Sequence, residues 1–377
     1  MAEPRYPSAR DIAPILRTHF ASMLAASTSP ASPRMDEPPT VDDIEALIDT
    51  AFWASLRREE NYLPRISLAL LPSRQAQQPL LFATPLAFAP VGLVRVAPAV
   101  ERRGIHLGVW RDEGVLKVWG TTRIVPSYCL VLEVAGPGLL VIKHHRGDGG
   151  KYVNVAVLEA DRVLMIDTHA LKAPDCPAFV GSLLGAEELA WKPQAGTLVD
   201  LAVSMRAHGR GGMMLMVPEG SSTWLESMVQ PMSYAISPEF SGLSELVGRG
   251  ASERHSLEWR EEMEDAVSAV AGLTAVDGAT VITDRYQLLA FGAKIARRRG
   301  SALVEQLSLT EPIVGGEASV IHPSSLGGTR HLSAAQFVHD QRDTIALVAS
   351  QDGRFTIFSW STCDERVQAR RIETLLL

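Results

Sequence analysis

Between Pro64 and Asp167 the chain is a succession of short β-branched and aliphatic runs: ISLALL, GLVRVA, HLGVWRD, GVLKVWGT, YCLVLEVAGPGLLVIKH and YVNVAVLEADRVLMID. Such runs fit strands and are too short for ordinary helices. Four connections, RDEG, AGPG, GDGG and EADR, have hairpin length, which makes the strands on either side antiparallel neighbours. A mostly antiparallel β domain is therefore expected. Trp110 and Trp119 fall inside these runs and are expected to pack in the core or across strands. His144, His145 and Asp148 gather in KHHRGDGG, but neighbouring residues of a strand point to opposite faces and no third ligand stands beside them, so a metal centre is not expected there.

Upstream, residues 9–26 carry Ile12, Ile15, Leu16, Phe20 and Met23 at helical spacing. The segment STSPASPRMDEPPT (27–40) has the composition of a linker. A second helix follows, capped by Thr40 or Asp42, with Ile44, Leu47, Ile48, Ala51 and Phe52 on one face. The expected organisation is N-terminal helices and linker over 1–61, a β-rich domain over 62–192, and a further domain over 196–377.

The last of these alternates helix and strand. LVDLAVSMRA (198–207) reads as a helix, HGRGG as its glycine-rich exit and MMLMVP as a buried strand. WLESMVQPMSYAI is ambiguous between strand and helix. The polar, glycine-containing stretch 237–259 reads as an inserted loop or lid, and Arg260–Ala271 as a helix with Met263, Ala266, Val267 and Val270 on its apolar stripe. Two strands joined by TDRY follow, then a gap, the loop LGGTRH, a helix through Ala334 and Phe337, and a hairpin turned at Gln351–Arg354. The expected class is an α/β domain with a mixed sheet and flanking helices, preceded by the mostly antiparallel β-rich domain and its N-terminal helices.

With 377 residues, 46% hydrophobic and 21% charged, the chain can bury two cores. A net charge of -7 argues against a general affinity for nucleic acid or anionic membrane, but leaves room for a small phosphorylated ligand held by a local cluster of cations. Cys129, Cys176 and Cys363 are odd in number and lack metal-type spacing, so no disulfide framework or structural zinc is expected. No apolar stretch reaches the roughly 18 residues of a membrane span, and the N-terminus lacks the apolar core of a signal peptide. A soluble, cytoplasmic protein is the expectation.

Three short elements carry candidate chemistry. LGGTRH (326–331) puts two glycines, a hydroxyl, a guanidinium and an imidazole just ahead of a helix, where free N–H groups and a fixed cation suit an anion. VDGA (276–279) and ASQDG (349–353) lie at strand ends, where such sheets place binding groups. Each also has a plain structural reading: Asp277 as a turn cap, Arg330 as an ion-pair residue, His331 as a hydrogen-bonded core histidine. Arg297, Arg298 and Arg299 have the composition of a phosphate clamp, but such a run is more often a solvated face.

Taken together and in this order, Asp277-Gly278-Ala279, Gly328-Thr329-Arg330-His331 and Ser350-Gln351-Asp352 resemble the diadenylate cyclase domain of the DisA type. HGRGGMMLMV (208–217) is similar to that family's earlier glycine-to-strand element, so the resemblance covers about 196–377. The β-rich part is more loosely similar to sensor domains fused to some of these cyclases. The resemblance implies a homo-oligomer in which two ATP, facing each other across a two-fold axis, are joined into cyclic di-AMP with loss of pyrophosphate. It implies that Asp277 holds Mg2+ or Mn2+, and that Arg330, His331, Thr329, Gly327 and Gly328 contact the polyphosphate. Gly278, Ala279, Ser350 and Gln351 would complete the substrate site. Two positions depart from the family pattern: Leu332 replaces a second Arg, and Gln351 replaces the first Glu of Ser-Glu-Glu, a loss that Asp352 would offset in part. One lost Arg–phosphate contact is worth about 1.5–3 kcal/mol, or roughly ten- to a hundredfold. A nucleotide-binding sensor or scaffold without turnover is therefore the alternative, and a structural protein with no nucleotide site a third.

Overall fold

Thr40 caps the second helix: its hydroxyl oxygen accepts from the Asp43 N–H at 3.2 Å and its O–H donates to Asp43 Oδ2 at 2.6 Å. The computed structural model describes residues 5–26, 34–59, 62–102, 104–145, 152–167, 193–250 and 253–377. The chain divides into two units, Met1–Ile166 with Leu377, and Asp167–Leu376. Both are mixed α/β.

In the first unit, α1 (Pro7–Ala26) and α2 (Val41–Ser55) precede β1 (Ile66–Leu70), β2 (Leu80–Ala87), α3 (Pro90–Val96), β3 (His106–Asp112) and β4 (Val115–Thr122). Four strands follow: β5 (Leu130–Gly136), β6 (Leu139–His145), β7 (Tyr152–Glu159) and β8 (Arg162–Met165). They form one sheet in the order β2-β4-β3-β1-β5-β6-β7-β8, in which β1 and β3 are parallel and the other neighbours antiparallel. The RDEG connection is a two-residue turn with positive φ at Glu113 and Gly114, the twist that antiparallel neighbours need. Ile12, Leu16 and Phe20 of α1, Ile44, Leu47 and Ile48 of α2, and Leu68, Leu107, Leu132 and Ile142 of the sheet share one buried core. The N-terminal helices thus belong to the same core as the strands. Ile15, expected on the buried stripe of α1, is instead 53% exposed, because it lies off the arc shared by Ile12, Leu16 and Phe20. Trp119 is buried, its indole N–H donating to the Leu71 carbonyl at 2.9 Å.

GLVRVA, expected as a strand, belongs to α3. Pro90 stands in the first turn, where its missing N–H costs nothing, and this outweighs the β-branched composition. The strand of this unit that the pattern does not reveal is β2, a sheet edge whose interior Pro85 is tolerated there. Asp148 and Cys176 lie outside the described residues, and neither Cys129 nor Cys363 is in a disulfide. Among the described residues no group of three His, Cys, Asp or Glu is arranged to hold a metal, and no helix is long and apolar enough to cross a membrane.

The second unit runs α4 (Pro193–Ala207), β9 (Gly212–Val217), β10 (Tyr234–Phe240), α5 (Gly242–Gly248), α6 (Leu257–Leu273), β11 (Ala279–Thr283), β12 (Leu288–Ala293), β13 (Leu307–Thr310) and β14 (Ser319–Ile321). It ends with α7 (Thr329–Asp340), β15 (Ile345–Ala349), β16 (Phe355–Ser361) and β17 (Arg366–Arg371). The sheet order is β10-β12-β11-β9-β15-β16-β17-β13-β14, with β9–β11 and β13–β17 parallel and the rest antiparallel. Ala334, Phe337 and Val338 of α7 pack with Met213, Leu215, Val281 and Val348 on one face. Met214, Ile282, Leu347 and Ile357 alternate with these and are also fully buried, so both faces of the sheet's centre are covered. The segment 237–259 is, over its described residues, mostly regular structure and not a loop. It holds the end of β10, all of α5 and the start of α6, which Ser256 caps by accepting from the Trp259 N–H at 3.1 Å.

Candidate functional site

Sheet register decides which sequence segments meet. Gly212, which opens β9, is opposite Ala349, which closes β15. Parallel pairing of β9 with β11 puts the start of β11 at the same end, and Ala279 opposite Ala293 brings the end of β12 there too. One end of the sheet therefore collects Arg210–Gly211, Val276–Gly278, Lys294 and the Ser350–Gly353 turn, over which α7 begins at Thr329.

Arg330 joins these segments. Gly211 has φ +70°, and a β-carbon there would lie 2.9 Å from Arg330 Nη1, 3.3 Å from the Ala349 carbonyl oxygen and 3.3 Å from Gln351 Cγ. The absent side chain is thus what admits the guanidinium. The Gln351 side-chain amide donates to the Arg210 carbonyl at 3.2 Å, tying the glycine loop to the turn. Within that turn the Ser350 N–H donates to the Arg354 carbonyl at 2.9 Å and the Gly353 N–H to the Ser350 carbonyl at 3.2 Å. Burial pushes the Asp352 carboxyl up, but the Ser350 hydroxyl, the Arg354 N–H and the Arg354 charge outweigh it, and the net direction is down.

Asp277 is exposed, and Lys294 Nζ lies 2.5 Å from its Oδ2. The hydrogen bond and charge of Lys294 hold this carboxyl below its usual range, and the positive charge of Arg330 adds to the effect. Gly278 is fixed by packing: with φ +123°, a β-carbon there would fall 2.4 Å from the Gly292 carbonyl carbon. Ala279 is fully buried in the core.

At the helix entrance Gly328 is the N-cap and, with Gly327 and Thr329, is exposed. The first N–H groups of a helix have no acceptor inside it. His331 turns inward: it is buried, its ring lies edge-on to Phe358 at 6.1 Å, and a β-carbon on Gly327 would come 2.6 Å from its Nδ1. Burial lowers its pKa, Arg371, Arg354 and Arg330 lower it further and Asp352 opposes them, so the imidazole is neutral at neutral pH. Leu332 lies on the other side of α7 from Arg330, where it helps line a cleft of about 460 Å³ with Ile295, Leu303 and Pro323.

Of the residues singled out from sequence, Asp277, Arg330, Ser350 and Gln351 converge at this end of the sheet. Gly278, Ala279, Gly327 and His331 line or pack beneath it. Sequence reasoning missed Gly211 as the seat of Arg330, and Lys294 as the partner of Asp277. Gly211 carried a signal, a glycine immediately before a buried strand. Lys294 carried none, since its pairing depends on the register of β12 against β11.

What the arrangement can do follows from its charges. One carboxylate, a half-buried guanidinium, an ammonium and exposed helix-start N–H groups form a surface suited to a phosphate-bearing ligand. Asp277 alone does not make a resident metal centre. A magnesium-class ion needs only one or two carboxylates when ligand phosphates and water supply the rest, so Asp277 would fit an ion brought in by a phosphate-bearing ligand.

Residues 34–123 match a family model described as "Probable sensor domain DACNV". The matched span runs from the segment ahead of α2 to just past β4. No curated protein matches the chain.

Proposed function

We propose that this chain is a sensor-regulated diadenylate cyclase, in which the second unit condenses two ATP into cyclic di-AMP and pyrophosphate and the first unit controls it. The observation that carries the reading is the seating of Arg330 against Gly211 and Gln351, within electrostatic range of Asp277. Four segments remote in sequence supply one phosphate-binding surface. The sensor match over 34–123 supports it, since that sensor family is associated with cyclic di-AMP cyclases. In this proposal Arg330 and the N–H groups at Gly328–Arg330 bind the triphosphate, and the Gln351 amide holds the Arg210–Gly211 loop in place. The nucleoside lies toward the cleft walled by Ile295 and Leu332. Asp277 would hold Mg2+ or Mn2+, which when bound supplies charge neutralisation at the α-phosphate. Each ribose 3′-hydroxyl attacks the α-phosphate of the ATP on a facing copy, so the active form is a homo-oligomer.

A second reading has its own observation. Lys294 already neutralises Asp277, and Leu332 supplies apolar surface where the resemblance calls for a cation. Both suit a pocket that binds a nucleotide and reports it without turnover. Incubation with ATP and Mn2+ or Mg2+ separates the two. The cyclase yields pyrophosphate and a cyclic dinucleotide, whereas the binding protein yields only a ligand-dependent rise in melting temperature.

A further inference from the structure

Of the Arg297–Arg299 run, Arg297 lines the cleft beside Ile295 and Leu332, and the other two take no part in the site above. Arg298 and Arg299 instead line an open cleft of about 680 Å³ at the C-terminal end of α7, together with Ser301, His339, Asp340 and Arg342. Counted along the helix, this lies about 15 Å from Arg330. We propose that this cleft is a second anion site, taking a compact phosphate-class polyanion such as pyrophosphate or a terminal diphosphate group.

Three features favour that ligand. The guanidinium carbon of Arg342 lies over the Trp360 ring, 4.0 Å from its centre, a cation–π contact that steadies the group without using its N–H donors. Arg299 and Arg342 have no carboxylate partner among the described residues, and Arg298 is steadied by Glu226 at 2.7 Å. Two guanidinium groups without an ion-pair partner among the described residues therefore share one concavity.

The carboxylate in the cleft wall does not cancel them. Asp340 has a fully buried side chain and accepts from the Arg298 N–H at 2.8 Å, Gln336 Nε2 at 2.8 Å, His339 Nδ1 at 3.0 Å and the Ser301 hydroxyl. Its charge is spent inside the wall, fixing the 298–301 loop to the end of α7. Asp343 is exposed at the rim and is the one carboxylate that opposes an anion. A guanidinium fork presents paired N–H donors to paired phosphate oxygens, and the cleft volume lies within the range of small-ligand sites.

The test is titration of the full chain with inorganic pyrophosphate in the presence of a chelator, followed calorimetrically, in an Arg330→Ala background that weakens the other phosphate surface. Saturable binding that weakens about tenfold or more in Arg299→Ala and in Arg342→Ala, and that falls with added salt, supports the proposal. Arg342→Lys keeps the charge but loses the stacked fork, and is expected to bind less tightly than the parent. Absence of binding in the Arg330→Ala background, binding that ignores both arginines, or tighter binding of the dicarboxylate malonate overturns it. Because Arg299 is exposed and without a partner among the described residues, its removal leaves the fold intact and the result interpretable.

Discussion

The guanidinium of Arg330 occupies space that any side chain on residue 211 would claim, since a β-carbon on Gly211 would lie 2.9 Å from Nη1. Two segments more than a hundred residues apart are thereby matched, one by lacking a side chain and one by having a long one. Gly211→Ala is expected to displace Arg330 and to strain a backbone held at φ +70°, lowering stability by about 1–2 kcal/mol. Urea denaturation reads the loss of stability, and the loss of ATP-dependent thermal stabilisation reads the displacement of Arg330. Unchanged ATP binding in a folded Gly211→Ala protein would count against this placement of Arg330.

Arg330 is half-buried and its removal leaves no carboxylate stranded in the interior. Arg330→Ala should therefore fold normally, with triphosphate affinity reduced roughly ten- to a hundredfold, the worth of a charge-assisted contact. Arg330→Lys should recover part of that loss, since it keeps the charge without the fork. Calorimetric titration of both variants with ATP checks the order.

Gly278 and Gly292 touch backbone to backbone. A methyl group on residue 278 would meet the Gly292 carbonyl carbon at 2.4 Å, and neither partner can swing aside as a side chain would. Gly278→Ala is predicted to cost about 2–4 kcal/mol and to loosen the pairing of β11 with β12. Hydrogen exchange at Ala279 and Ala293 would rise if so and stay protected if not.

His106 gives the first unit a distinctive pH dependence. Its Nδ1 is 2.7 Å from the Ser67 hydroxyl and its Nε2 2.7 Å from the Tyr152 hydroxyl, and burial, the largest influence, pushes its pKa down to about 4. The unfolded chain therefore binds a proton near pH 6.5 that the folded protein refuses until about pH 4. Stability from this residue is complete above pH 6.5 and is lost as the pH falls toward 4, by at most about 3 kcal/mol. His106→Gln should be less stable at pH 7.5 and show a flatter profile below pH 6.5. Parallel profiles for variant and parent would contradict the assignment.

Much of the fold was legible because hairpin turns and apolar runs are local signals. RDEG and EADR mark their turns, and MMLMVP marks a buried strand wherever it sits in the sheet. The failures were non-local or compositional. GLVRVA has strand composition, yet Pro90 and packing make it a helix. β17, with the sequence RVQARR, is a strand because β16 and β13 flank it, which no alternation of its own reveals. The candidate site was legible in its parts and not in its assembly. Asp277, Arg330 and Ser350 stand out as residue types at strand or helix ends, but the approach of Lys294 to Asp277 and of Arg330 to Gly211 follows from strand register.

If Asp277 and Arg330 belong to one site that joins two ATP, loss of the Asp277 carboxylate should abolish the reaction. The most direct measurement incubates the purified protein with radiolabelled ATP and Mn2+ or Mg2+, beside Asp277→Asn, and separates the products. A cyclic dinucleotide and pyrophosphate are expected from the parent and neither from the variant. No product from the parent under either metal, with ATP still raising its melting temperature, would contradict the cyclase and leave a nucleotide-binding protein in its place.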